Sequence, residues 1–522
     1  MKTLFFFLLL AGFSLPAFPQ GVQRTLGYSG DQSGFFITST SDGGYMLAGR
    51  GAGALFLVKI DSSANVLWSG TFDAVYQEAC YICRQTSDGG YAACGWSNSG
   101  SSQDIYVLKL DASYAVQWSV TYGGSDSELG YDMQLTPDGG YIVAASTFGG
   151  VDNDAYLLKL DANGAYAWDR VIGGSNWEEF YSVDTTSDGG YIFSGRTRSF
   201  GAGGSDIYLV KTDASGNLLW SKTIGGGNED YGNSVRQSAD GGFIIGGWSN
   251  SFSNSWSDLD CFLCKTDADG NIQWFKTFGG PDYEDSYSVC RSPDGGYLVP
   301  GGTRSFGAGA TDAYLVRTDA SGNLLWSKAY GGAGTDYAYS ALPRNNGGFA
   351  VLGYTDGFAA QGTDFYLFFT DSAGVTECNE WTAATTQRDT LPVVTVPADN
   401  IASGGVLTNL SITPGNPAVV DTTACIQTGI GAETENPNGN YFSLYPNPVH
   451  GKTVTLHFSG TAPRAAEITV MDIAGRILEK INTPAGTGNT CILDVSGREN
   501  GLYLLRVNTG KKCRVEKLLL LR

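Results

Sequence analysis

The chain repeats itself, and the repeat limits the fold more than any other feature. Asp-Gly-Gly followed by an aromatic residue occurs at Asp42, Asp88, Asp138, Asp188, Asp240 and Asp294, and Asn346-Gly-Gly-Phe makes a seventh copy; the spacings are 46, 50, 50, 52, 54 and 52 residues. In each copy an alternating run such as Tyr231 to Gln237 enters a turn at Ala239-Asp240-Gly241-Gly242, and a second run starts at Phe243. Asp-Gly supplies the positive φ angles of a two-residue hairpin turn. A Gly/Ser loop, the run Asp206 to Lys211, the turn Ala214-Ser215-Gly216-Asn217 and the run Leu218 to Lys222 make a second hairpin. Four strands in roughly fifty residues match a β-propeller blade, whereas solenoid repeats are shorter. The expected fold class is all-β: a seven-bladed β-propeller followed by a small Ig-like β-sandwich.

Closure of the ring is also written in the sequence. Arg24-Thr25-Leu26-Gly27 aligns with Arg170-Val171-Ile172-Gly173, the end of another copy's fourth strand, while the seventh copy has Cys378 where the others carry Trp68, Trp118, Trp168, Trp220, Trp274 and Trp326. The N-terminal segment is therefore expected to complete the last sheet, with Val375 to Thr382 as the rival closure. The six tryptophans are expected to fill space between neighbouring sheets, because burying an indole removes about 150–250 Å² from water.

Composition agrees with tight-turned β structure: 73 Gly, 28 Tyr and 11 Trp stand against 4 Met. Met1-Lys2, the apolar run Leu4 to Leu10 and the small and Pro residues to Gln20 read as a secretory signal. No later run approaches the roughly 20 apolar residues of a membrane-spanning helix. A net charge of −20 argues against a nucleic-acid partner. From Asn438 onward 11 basic residues face 6 acidic ones, whereas the preceding part holds 21 against 46, so two domains with different surfaces are implied. The expected organisation is a signal peptide at 1–20, the propeller at 21–376, a Thr/Pro-rich extension and linker at 377–437, and a terminal domain at 438–522.

The stretches YLVKTDASGNLLWSKTIGG and YLVRTDASGNLLWSKAYGG resemble the tryptophan-docking repeat of quinoprotein-like propellers, with Asp213, Gly216 and Trp220 on matching positions. The whole unit also resembles the repeats of many exported proteins of Bacteroidetes and some archaea. Quinone-dependent relatives have eight blades and an adjacent Cys-Cys pair, which this chain lacks, so no redox cofactor is expected.

Both histidines, His450 and His457, lie beyond Asn438, which excludes a Ser-His-Asp triad or His-ligated zinc in the repeats. Carboxylates are plentiful. Ten residues before each Asp-Gly-Gly stand Glu78, Glu128, Glu178, Asp230, Glu284 and, before Asn346, Asp336; the first copy has Gln32 beside Asp31. Asp104, Asp154, Asp206, Asp260, Asp312 and Asp364 open the third strands and belong at the same end, near Tyr131, Tyr181, Tyr231 and Tyr287. Two readings apply. The acids accept hydrogen bonds from the N–H groups of their own Gly-rich loops, or they form an acidic face that binds Ca²⁺ or a basic, protein or glycan partner. A glycosidase-type carboxylate pair is the enzymatic alternative, and Trp177 beside Glu178-Glu179 and Trp256 beside Asp258 are the departures from repetition that would mark it.

Cys80-x-x-Cys83 and Cys261-x-x-Cys264 have zinc-like spacing, but positions three apart on a strand face opposite sides, so no metal site is expected. Cys378 with Cys425 is the disulfide candidate, bracketing a polar segment in an exported chain; Cys83 with Cys94 and Cys491 with Cys513 are further pairs.

From Tyr441 short alternating runs separated by turns suggest a small sandwich. This module resembles the C-terminal sorting domain of type IX secretion substrates through Tyr445-Pro446-Asn447-Pro448, through Asp472, Gly475 and Arg476, through Gly501 and Tyr503, and through the basic-then-apolar ending at Lys517. The resemblance implies Sec export, recognition by the outer-membrane type IX translocon, and delivery to the cell surface or medium. The function expected is non-catalytic binding of a glycan or a protein.

Overall fold

The computed structural model describes residues 22–520 apart from 74–76, 99–101, 150–151, 254–257, 359–361, 377–378, 398–399, 403–405, 410–412, 416–419, 427–441, 446–451, 459–465, 472–476, 484–489, 499–500 and 509–512. The chain divides into two compact units, Met1–Gly429 and Ile430–Arg522. All named ladders are antiparallel, and no helix of the described residues is long and apolar enough to cross a membrane.

The first unit holds seven sheets, one per sequence repeat. The fourth shows the pattern: Glu178–Thr185, Tyr191–Thr197, Asp206–Thr212 and Leu218–Gly225 pair in chain order. Both faces of each sheet are covered. The first and second sheets share a core containing Leu57, Cys80 and Tyr106, the second and third one containing Val107, Met133 and Tyr156. Such shared cores continue through the sixth and seventh sheets, and the seventh packs on the first through Leu352, Phe365, Ile37 and Phe56.

The N-terminal strand Val22–Gly27 pairs with Asp364–Phe369 and is the fourth strand of the seventh sheet. The rival segment does not close it; Glu380–Thr382 lies on the sixth sheet instead.

The tryptophans act between units, but half-buried rather than as interior filler. Trp168 lies against the turn of the next sheet at Gly216, where an added Cβ would approach the indole to 2.5 Å. Trp68 stacks on Tyr114, which takes the glycine's place in the second turn with φ of 68°. At the closing junction Val22 stands in the tryptophan position and Ala64 in the glycine position, both within one core. A smaller plug meets a fuller socket.

The Asp of each Asp-Gly-Gly accepts the N–H two residues on and pairs with a buried cation of the third strand, as in Asp188 with Lys211 at 2.9 Å and Asp294 with Arg317. Lys59, Lys109, Lys159 and Lys265 repeat this pairing. The seventh repeat has Asn346 because the cation's position is Phe369. These pairs hold Asp42, Asp88, Asp138 and Asp188 down to about 2, with the Thr hydroxyl or Lys ammonium donors outweighing burial.

The stretch expected to be a linker is the largest departure. Between Glu380 and Ile426 seven short strands add one edge strand to each of the seven sheets. Glu380–Thr382, Thr386–Asp389, Val393–Thr395, Asn400–Ala402, Val406–Asn409, Thr413–Gly415 and Val420–Ile426 join the sixth, fifth, fourth, third, second, first and seventh sheets in turn. The last of them pairs with Val22–Gly27, so the belt ends on the strand that completes the last sheet. Strands of three to seven residues carry too little alternation to be read alone, and they exist because a sheet edge offers unpaired N–H and C=O groups.

The thiols also correct an expectation. A bulge between Cys80 and Ile82 shifts the register, so Cys80 and Cys83 face one core while Cys94 lies in the next. All three are buried free thiols, which removes the Cys83 to Cys94 bridge. Cys261 and Cys264, with no register shift between them, do face opposite cores. Cys378 lies outside the described residues, and of Cys425 the strand position opposite Gln23 is described.

In the second unit, Phe442–Tyr445, Thr453–Phe458 and Thr490–Asp494 form one sheet; Ile477–Thr483, Ala466–Met471, Gly501–Asn508 and Cys513–Leu520 form another. One core with Val454, Leu456, Ile468, Leu505 and Leu518 joins the two, giving a sandwich.

Candidate functional site

The repeated acids are brought together in pairs, facing into the protein. Glu78, Glu128, Glu178, Asp230, Glu284 and Asp336 are all buried. Glu178 accepts the Gly174 N–H at 2.7 Å, the Thr197 hydroxyl and the Ser199 N–H. Glu284 does the same with Gly280, Thr303 and Ser305. Glu128, Asp230 and Asp336 accept from Gly124, Gly226 and Gly332, and Glu78 from the Ser97 hydroxyl. In the first sheet the Gln32 carbonyl accepts the Tyr28 N–H. Loop construction therefore engages the groups that a ligand-binding acidic face would have to present.

Five of these acids, all but Glu78, meet the Asp that opens the preceding sheet's third strand, across a glycine. A methyl at Gly225 would collide with Asp206 Oδ1 and lie 2.8 Å from Asp230 Oδ2; Gly123, Gly173, Gly279 and Gly331 repeat this with their own pairs. In the first sheet the two positions exchange residues: Ala54 stands for the Asp, and Asp73 for the glycine. Asp104, Asp206, Asp260 and Asp312 each keep a buried Oδ1 without a hydrogen-bond donor. Burial chiefly raises these groups, Asp206 and Asp336 to about 6 and Asp260 to about 7. Asp258, Asp260 and Glu284 bring carboxylate oxygens within 4.8 Å of one another, and Arg388 of the belt donates to Asp260.

The cavity to which all seven sheets contribute lies elsewhere. It measures about 550 Å³ and is lined mainly by the first strands, with Arg50 and Trp248 from second strands. Its lining comes from an irregularity in those strands. In six sheets the register shifts by a bulge, and the residue thrown out of the ladder is Phe35, Tyr81, Tyr131, Tyr181 or Tyr339, or in the fifth sheet falls within Gly232-Asn233. In the sixth sheet the strand breaks after Ser286, and Tyr287 lies in the break. A bulge re-aims a side chain; here the bulges of five sheets and the break in the sixth aim one aromatic ring each at a common space. Centroid distances are 5.2 Å for Phe35 and Tyr81, 5.7 Å for Tyr81 and Tyr131, 5.3 Å for Tyr131 and Tyr181, 4.5 Å for Tyr287 and Tyr339, and 5.2 Å for Tyr339 and Phe35. The circle breaks at the fifth sheet, where Asn233 donates to the Ser286 carbonyl and Tyr231 stacks on Trp248.

Polar groups are a minority of the lining. Asp132 accepts from Ser182 and Val183 and lies 3.7 Å from Arg84 and 3.4 Å from Arg236. Tyr181 donates to Glu179 and Tyr287 to Asp285, acids that occur at this position in no other sheet. Burial raises Asp285 to about 7. Trp177 is partly exposed beneath Arg196 and Arg198, whereas Trp256 lies outside the described residues. Three of the ring residues, Tyr131, Tyr181 and Tyr287, had been picked out beside the acids; Phe35, Tyr81 and Tyr339 recur at the spacing of the Asp-Gly-Gly turns and could have been found by that signal.

Of the sorting residues, Tyr445, Gly501 and Lys517 lie on strands, and Tyr503 is half-buried near Arg498. Pro446, Asn447, Pro448, Asp472, Gly475 and Arg476 lie outside the described residues.

Residues 443–521 match the family described as secretion system C-terminal sorting domain. Such a domain marks the chain for the type IX secretion machinery and for the cell surface or extracellular space. The chain is 26% identical over 297 residues to regulatory protein FlaEY of Caulobacter vibrioides, a match over 50% of this chain and 31% of that protein, so it spans about a third of that relative's length. Among solved structures it is similar to Sqt1 from Chaetomium thermophilum (TM-score 0.34, 12% identity, 66% of this chain and 98% of that one) and to polysaccharide lyase Uly1 (TM-score 0.39, 10% identity, 65% and 90%).

Proposed function

We propose that the first unit is a seven-bladed β-propeller, exported through its signal peptide and sorting domain, which binds a glycan in its central cavity without catalysis. Seven sheets sharing cores in cyclic order support the architecture. The observation that carries the function is the ring of bulge-aimed aromatic side chains around a space of about 550 Å³, within the roughly 300–1,000 Å³ of small-ligand sites. Rings held edge to edge on a rigid frame offer apolar faces to a sugar at little entropic cost.

The reading assigns no cofactor. Ca²⁺ would find its oxygen ligands at Asp258, Asp260 and Glu284, in competition with Arg388. The enzymatic alternative draws support from Asp285, a buried acid raised to about 7 and bonded to Tyr287 of the cavity wall.

One screen separates the readings. The secreted protein, immobilised and exposed to a polysaccharide panel, is expected to retain at least one glycan, to generate no new reducing ends, and to lose retention about tenfold or more on Tyr131→Ala, the scale of one well-packed aromatic anchor. New reducing ends would favour the enzyme; retention of proteins but no glycan would favour a protein partner.

A further inference from the structure

Resting on that reading, we propose that the unit taken by the central cavity is an anionic sugar, its negative charge held at Arg50. Just before the bulge or break, each sheet pairs one residue of its first strand with one of its second. In the fourth sheet the pair is Glu179 and Arg196, bonded at 2.7 Å, and Arg196 donates further to Tyr231. That guanidinium is engaged within the protein. In the first sheet the same position holds Arg50, and the residue opposite is Ser33. No carboxylate among the described residues forms an ion pair with Arg50, whose side chain is exposed and lines the cavity. Its neighbour is Tyr354, whose phenol burial chiefly raises, to about 12, against a smaller opposing pull from Arg50.

The cavity wall thus bears two guanidiniums, Arg50 and Arg236, against the single carboxylate of Asp132. This excess of positive charge occurs in a part of the chain where 46 acidic residues outnumber 21 basic ones. An aromatic cage built for a cation would carry the opposite sign. A guanidinium fork matches a carboxylate or sulfate group with two parallel hydrogen bonds. Since the molecule as a whole repels polyanions, binding must be local to the cavity and cannot come from a general electrostatic field.

The test is an array of oligogalacturonate, oligomannuronate and sulfated galactan fragments beside neutral cello- and xylo-oligosaccharides and an oligoglutamate peptide, probed with the full-length protein and with Arg50→Gln. Arg50 is exposed and its side chain bonds to nothing among the described residues, so the variant keeps the fold. Retention is expected on anionic sugars, with Arg50→Gln weakening it at least tenfold while any neutral sugar is held as before. The carboxylated and sulfated arms tell which anion is taken. Equal retention of neutral and anionic sugars, an unaffected Arg50→Gln, or binding of the peptide as tight as that of the sugars would overturn the inference and leave the aromatic site standing. An array on which no glycan is retained would instead remove the glycan reading itself.

Discussion

A chain ending at Asn379, compared with one ending at Gly429, is expected to melt lower by about 5 °C or more and to run as soluble aggregates where the longer chain runs as a monomer. The segment removed forms the outer edge strand of every sheet in the first unit. Its backbone pairing, roughly 1 kcal/mol per hydrogen bond net, is offset by the entropy of ordering the belt, about 1–2 kcal/mol per residue, so the stability change is moderate for so many bonds. A loss of a few kcal/mol corresponds to a shift of that size in a domain of this length. Aggregation is the larger effect. Seven bare edges would each present a row of free donors and acceptors, the usual template for pairing between molecules. The fourth strands begin with half-exposed, apolar-rich runs such as Leu218-Leu219-Trp220, with Leu219 55% exposed even in the belted protein, which adds sticky surface to the open edge. Light scattering and a thermal melt on the two chains check this; equal melting and equal mass would show the belt to be ornament.

The second large effect is on pH. The facing carboxyl pairs are raised, Asp206 and Asp336 to about 6 and Asp260 to about 7, with Asp285 also at about 7. A group whose native pKa exceeds its unfolded value of about 3.9 favours the folded state in acid. That contribution is complete below pH 4 and is lost as pH rises through 6 and 7. The Asp-Gly-Gly acids act the other way: Asp42, Asp88, Asp138 and Asp188, held at about 2, support the fold above pH 4 and lose that support as pH falls toward 2. Stability is therefore expected to peak near pH 4 and to fall by several degrees of Tm by pH 8. Asp206→Asn isolates the cause. Its Oδ1 can keep the Ala202 and Gly203 N–H groups that Oδ2 now accepts, while the new amide donates to Asp230 across Gly225. The closing junction already uses an amide in such a pair, Gln32 facing Asp364. The variant should match the parent at pH 4 and exceed it at pH 8; a drop at both would mean that the buried Asp206 carboxyl is not the cause.

The sequence made the sheets legible because a turn requiring positive φ recurs at a fixed period, and because the exceptions compensate one another. Asn346 appears where Phe369 has replaced the cation, and Val22 meets Ala64 where others pair Trp with Gly. The sorting domain was legible from ordered motifs over residues 443–521. Two things were hidden. The bulges at Tyr81, Tyr131 and Tyr181 leave no mark in strand alternation, yet they turn the aromatic rings inward and place Cys80 with Cys83. The belt was hidden because its strands have no pattern of their own; the sheet edges impose their structure. The repeated acids drew attention as a site, and in most repeats the same glycine N–H and hydroxyl of their own loop bond to the carboxylate.

Hydrogen exchange followed by mass spectrometry on the intact first unit tests the closed ring most directly. If Val22–Gly27 locks the seventh sheet between Asp364–Phe369 and Val420–Ile426, the amides of Gln23 to Leu26 will exchange as slowly as those of Phe365 to Phe369, through global opening alone. Exchange of that segment within seconds, with Phe365 to Phe369 still protected, would contradict it.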